Sequence, residues 1–175
     1  MRNILITLPL LLSFACGGGT PAATGDKKDD KAEAAKADAP KADAPKADGP
    51  KTHDIAKLGL KIDGPGDATI EDMMGSQMIR GTGLVVTVKP AGDFFPKTLE
   101  DAKKEATDMY TGTDMAEETL ADGWALTFVN EGGLGKNYWV QVSRTIDGQT
   151  YACETTASQA DQQANALAAC KSLKK

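Results

Sequence analysis

Hydrophobic and polar positions divide the chain into three stretches. Ile4 to Leu12 is an apolar run broken by Thr7 and Pro9, with Arg2 before it and Ser13-Phe14-Ala15 after it. Basic, apolar and small-residue segments in that order predict a secretory leader over residues 1–15 that is no part of the fold. A run of about ten residues spans about half of a hydrocarbon core as a helix, so no retained transmembrane span is predicted. Residues 16–53 show no apolar periodicity, and from Asp54 alternation returns, which predicts a globular domain over 54–175.

Within that domain the pattern predicts strands, a helix, more strands and a final helix. Leu58 to Ile62 and Gly83 to Lys89 are β-rich runs, with turn chemistry at Asp63-Gly64-Pro65-Gly66-Asp67 and weaker strands around Ala68–Met73 and Gln77–Arg80. Thr98 with Asp101 forms a capping box, and Leu99, Ala102, Ala106, Met109 and Tyr110 make one apolar stripe that Gly112 ends. Four strands follow. Asp122-Gly123 and Asp147-Gly148 suit type I′ hairpin turns, while Asn130 to Lys136 reads as a longer glycine-rich loop. Trp124, Leu126 and Phe128 alternate onto one face, as do Tyr138, Val140 and Val142. The expected fold class is α+β, a mostly antiparallel sheet with the helices packed on it.

The last hairpin fixes a register. With Asp147 and Gly148 as a two-residue loop, Ile146 faces Gln149, Arg144 faces Tyr151 and Val142 faces Cys153, so Cys153 lies on the core face of Val140 and Val142. A terminal helix capped by Ser158, with Asp161 three residues on, carries Ala166, Leu167, Cys170 and Leu173 on one stripe. Both thiols therefore point into the seam between sheet and helix, and a Cys153–Cys170 disulfide is predicted. A redox-active role needs an exposed thiol of low pKa, usually in a Cys-x-x-Cys arrangement that is absent here.

Composition changes the reading of the middle stretch. From Gly17 to His53 it is Gly, Ala, Lys, Asp, Pro and Thr with almost no large aliphatic residue, and Lys36 to Pro50 repeats Lys-Ala-Asp-Ala-Pro twice and then Lys-Ala-Asp-Gly-Pro. Such a segment cannot offset the entropy of ordering and is expected to be a disordered, extended spacer. Its seven basic and seven acidic residues cancel, which argues against specific binding of a polymer such as cell wall. The domain carries 18 acidic against 12 basic residues, so a nucleic-acid partner, which needs a clustered basic surface, is not expected.

Cys16, followed by Gly17-Gly18-Gly19, resembles the bacterial lipobox, in which the cysteine becomes the acylated first residue of a lipoprotein. Ser13 and Ala15 also suit ordinary signal peptidase, which leaves a soluble chain with a free thiol. Taking Cys16 for the anchor leaves Cys153 and Cys170 as an even pair in an oxidising compartment. Several acyl chains, at about 0.8 kcal/mol per buried methylene, make an anchor effectively permanent. In such lipoproteins aspartate after the cysteine marks inner-membrane retention, so Gly17 implies the outer membrane. The order of elements, Leu58-Gly59-Leu60-Lys61-Ile62 before a proline turn, and Cys153 with Cys170-Lys171-Ser172-Leu173, looks like the PsbP-like fold. That resemblance implies a central antiparallel sheet flanked by helices in an exported accessory protein, and no binding residue is carried over from it.

Candidate chemistry is sparse. The lone histidine, His53, sits at the tether boundary, so no histidine-based triad or zinc cluster is expected in the domain. Glu117-Glu118 and Glu71-Asp72 are strand neighbours that point to opposite faces. Met73, Met74 and Met78 could bind copper(I) as thioethers, but packing or a flexible surface is the plainer reading, and no metal or cofactor is predicted. Gly132-Gly133-Leu134-Gly135 lacks the lysine and the helix of a phosphate loop. Trp139 alternates onto the face of Gln141, Ser143 and Thr145, which makes it a candidate anchor for a partner unless the first helix covers it. The expected function is a non-enzymatic binding or scaffolding domain on an envelope lipoprotein, with another envelope protein as partner. Small-ligand or metal binding is the alternative, and an enzyme working through carboxylates or hydroxyls comes third.

Overall fold

In a computed structural model of the protein, residues 49–133 and 135–175 are described. The predicted leader, Cys16 and nearly all of the spacer lie outside them. Nine strands and two helices occur among the described residues: β1 Lys51–Ile55, β2 Leu60–Gly64, β3 Thr69–Met73, β4 Ser76–Gly81, β5 Leu84–Pro90, α1 Leu99–Tyr110, β6 Thr113–Leu120, β7 Gly123–Gly132, β8 Gly135–Ile146, β9 Gln149–Ala157 and α2 Ala160–Lys171. Seven strands form one sheet in the order β3-β4-β5-β9-β8-β7-β6, and every neighbouring pair is antiparallel. The architecture is therefore sheet-dominated, with both helices packed on the sheet.

β1 and β2 make a separate two-stranded sheet, with His53 paired to Ile62 and Ile55 to Leu60. Residues 51–53, expected to belong to the spacer, thus lie in a strand. Their polarity concealed it, because only Ile55 at the strand's end is buried. The C-terminus joins this sheet through reciprocal backbone bonds between Lys61 and Lys174, 2.7 and 3.1 Å. Beside them Asp63 accepts bonds from the Thr52 hydroxyl (2.6 Å) and the Lys174 ammonium (3.1 Å). These two bonds, Thr52's the larger effect, hold its carboxyl below the ordinary 3.8. A carboxyl depressed in the folded state contributes stability that is complete above its unfolded pKa and lost as pH falls through its folded pKa. Protection of the Lys61 and Lys174 amides, measured relative to their intrinsic exchange at each pH, should therefore fall as pH drops below about 4, before the central strands respond.

Each face of the large sheet has its own apolar layer. On one side α2 brings Ala166, Ala169, Cys170 and Leu173 onto Ile79, Val86, Val88, Val140, Val142 and Cys153, and the β1–β2 hairpin closes the layer with Ile55, Leu60 and Ile62. On the other side Ala102 and Ala106 of α1 lie against Trp124, Leu126 and Phe128. Small helix residues let α1 approach the large side chains of β7 closely. Met109, placed on the stripe by its spacing, instead points to solvent, since the buried arc of α1 is only as wide as the two alanines and their flanks Leu99 and Tyr110.

The Asp147-Gly148 turn has both residues at positive φ, 50° and 78°, and Ile146 pairs with Gln149, Arg144 with Tyr151 and Val142 with Cys153. Cys153 and Cys170 form the disulfide across the seam, with Cα atoms 5.5 Å apart. Asp122-Gly123 behaves differently. The turn there is Ala121-Asp122, neither residue has positive φ, and Gly123 opens β7 opposite Arg144. The expected loop over Asn130–Lys136 is also absent: pairing continues through Asn130–Asn137 and Glu131–Lys136 to Gly132–Gly135, so β7 and β8 reach almost to the hairpin tip.

Helix ends differ in how well they are capped. Thr98 and Asp101 complete the reciprocal capping box of α1, while Thr111, not Gly112, takes the left-handed conformation that ends it. Gly112 is small because Phe128 stands where its side chain would be. At α2 the N-cap is Gln159, which makes no side-chain bond, and the expected cap Ser158 instead gives its hydroxyl to Gln162.

Candidate functional site

Because α1 lies over β6–β8, the same face of the sheet is left uncovered along β5 and β9. Pairing of Thr87 with Glu154, Gln141 with Glu154, and Trp139 with Thr156 brings these side chains onto that open face. The segment from Ala91 to Thr98 folds over its edge. Ala91 donates its N–H to the Thr150 carbonyl (2.9 Å), a tight turn bonds Phe95 N–H to the Gly92 carbonyl (3.1 Å), and the Phe95 ring stacks on Trp124 at 5.6 Å. The result is a cleft of about 560 Å³ between this segment, α1 and the sheet.

Its walls are aromatic and its floor is polar. Phe94, Phe95, Tyr110 and Trp139 line it, with Phe94 fully exposed at the rim. Trp139 is half-buried: one face stacks on Phe128 (5.5 Å, nearly parallel), Tyr110 tilts against it at 4.5 Å, and its indole N–H donates to Asn130 Oδ1 at 2.8 Å. Covering by the first helix and exposure to a ligand therefore coexist, since Tyr110 closes one side of the ring and the cleft borders the residue as well. These contacts fix the ring, and Gln163 of α2 donates to the Trp139 backbone carbonyl at 2.9 Å, which anchors the strand beneath it.

On the floor Lys89 and Glu154 form an ion pair. Gln141 lies beside them at only 6% exposure, and its amide oxygen has no hydrogen-bond donor among the described residues. A buried polar atom without a partner costs about 1–3 kcal/mol, so a ligand donor that completed it would recover part of that. Glu105, half-buried on α1 with no partner among the described residues, faces the same cleft. A second cleft of about 530 Å³ lies between the β1–β2 hairpin and α2. Its polar groups are already engaged with one another: Asp63 with Thr52 and Lys174, Asn165 with the Gly83 carbonyl, and Ser172 with the Asp63 amide.

The other candidate residues lie elsewhere. Cys153 and Cys170 are joined on the opposite face, and Cys16 is outside the described residues. His53 donates to the Pro65 carbonyl at 2.8 Å. Glu117 pairs with Lys103 of α1 and Glu118 with Lys171 of α2, so the two neighbours do face opposite sides of the sheet. Met74 projects into solvent from a left-handed turn, and the Met78 sulfur accepts a bond from Arg80. No group of three or more His, Cys, Asp or Glu suited to a metal occurs among the described residues.

Sequence reasoning singled out Trp139 but missed Glu105, Glu154 and Lys89. The adjacent aromatics Phe94-Phe95 in a turn-rich segment were the available signal: with no regular element to alternate on, Phe95 packs on Trp124 and Phe94 is left exposed. No family model matches the chain, and no curated protein sequence matches it.

Proposed function

We propose that this chain is a lipid-anchored protein of the cell envelope, held at the outer membrane through Cys16, whose domain binds a ligand in the Trp139 cleft and does not transform it. The leader, the glycines after Cys16, the charge-balanced spacer and the pairing of the two remaining cysteines support the anchored placement. A sheet flanked by helices is also what the PsbP-like resemblance implies for an exported accessory domain. The observation that carries the binding reading is the unpaired amide oxygen of Gln141 at the floor of an aromatic-walled cleft. The size of that cleft suits a small molecule or one protruding group of a partner.

Thr156 is exposed and lines the cleft, so Thr156→Trp fills it at little cost to the fold. A low-molecular-weight extract of the native envelope is expected to raise the melting temperature of the wild-type chain and not that of the variant. An equal rise in both would place binding elsewhere and end this reading of the cleft. The anchor has its own test: intact mass of the chain isolated from membranes should correspond to a start at Cys16 carrying acyl groups.

A further inference from the structure

We infer that the group recognised in this cleft is an organic cation, an ammonium or guanidinium on a short apolar stem; the inference rests on the binding reading above and specifies its ligand. Three independent features of the cleft point the same way. Its charged lining is Glu105, Glu154 and Lys89, and since Lys89 is taken by Glu154, the carboxylate of Glu105 has no counter-ion among the described residues. The buried amide oxygen of Gln141 has no donor among the described residues, so an N–H group brought by a ligand would complete it. The walls present the rings of Phe94, Tyr110 and Trp139, whose faces attract cations and whose surfaces cover an apolar stem.

Each alternative ligand charge meets an obstacle. An anion would face Glu105 with Lys89 already neutralised, and would bring no donor to the Gln141 oxygen. A neutral polyol would satisfy Gln141 but leave the Glu105 charge unbalanced. A cation answers both deficits at once, and the excess of acidic residues over the whole domain raises its local concentration. A free amine and a lysine or arginine side chain of a peptide both carry this cation, and the two place the same group at the same position.

The test uses the full chain in detergent and reads the indole N–H signals during titration with phenethylamine, its neutral isostere phenethyl alcohol, the anion 3-phenylpropionate, and a capped Phe-Arg dipeptide amide. The expected result is saturable movement of the Trp139 signal by phenethylamine or the dipeptide, with the tighter of the two showing whether the source is a free amine or a peptide. Glu105→Gln, which removes charge without changing shape, should weaken that binding at least tenfold while leaving the melting temperature unchanged. If the alcohol or the anion binds as tightly as the amine, or Glu105→Gln has no effect, the cation is overturned and the binding cleft survives. If no probe moves the Trp139 signal, the cation proposal is overturned as well, and the extract experiment with Thr156→Trp then decides the cleft independently.

Discussion

Replacing Cys153 and Cys170 together by alanine is expected to lower the unfolding free energy by about 3 kcal/mol, the loop-closure entropy of a bridge with this spacing. For a domain of this size that is a fall of roughly 10 °C in melting temperature. The two residues lie 17 apart in sequence, and both side chains are fully buried between β9 and α2. Alanine is the right replacement because it leaves no polar atom in an apolar seam, so the measured loss reports the cross-link and a small cavity. Urea unfolding of wild type and double variant is the measurement, with the loss appearing in the midpoint. If reduction of the wild-type chain left the midpoint where it was, the bridge would hold nothing that α2 does not already hold by packing.

Gly123→Ala should be at least as damaging, about 3 kcal/mol, although the position has ordinary backbone angles. A Cβ there would stand 1.9 Å from the Ser143 carbonyl oxygen and 3.2 Å from the Arg144 Cα. Both are backbone atoms of the neighbouring strand, so no side-chain rotation relieves the overlap, and β7 would have to leave β8. The close approach has a cause. Arg144 reaches across to Asp122 with two bonds of 2.7 and 2.9 Å and also donates to the Lys171 carbonyl at the end of α2. One guanidinium thus ties the β6–β7 turn to the last turn of the helix, and only glycine lets the turn come near enough. Gly148→Ala is the control: it occupies positive φ with open space around it, and should cost about 1 kcal/mol. Equal losses at the two positions would contradict this account.

The same Asp-Gly dipeptide therefore served two ends, and only one was legible in advance. At Asp147-Gly148 local conformational preference sets the turn, so the register and the facing of Cys153 could be worked out from sequence. At Asp122-Gly123 glycine is required by a residue twenty positions away, which no local rule sees. Asn130 to Lys136 misled for a related reason: glycines and polar residues read as a loop, yet cross-strand pairs such as Glu131 with Lys136 extend the hairpin. The cleft was the least legible feature. Period-two alternation placed Trp139 and Gln141 on one face, but whether that face is covered depends on where α1 stops across the sheet. Nothing in the sequence marked Glu105 on its helix until packing set it on the lining of the cleft that Gln141 also borders.

The position of β9 bears on how the polypeptide reaches its final form. Strands β3–β5 and β6–β8 are each contiguous in sequence, but they meet only through β9, which lies between β5 and β8. A chain emerging from its N-terminus first must leave both of those edges bare until residue 157 has appeared, and cross-linking waits longer still, for Cys170. The finished sheet therefore cannot assemble until the last strand is available, by connectivity alone. Polypeptides cut short before β9 would carry two unpaired edges and should self-associate.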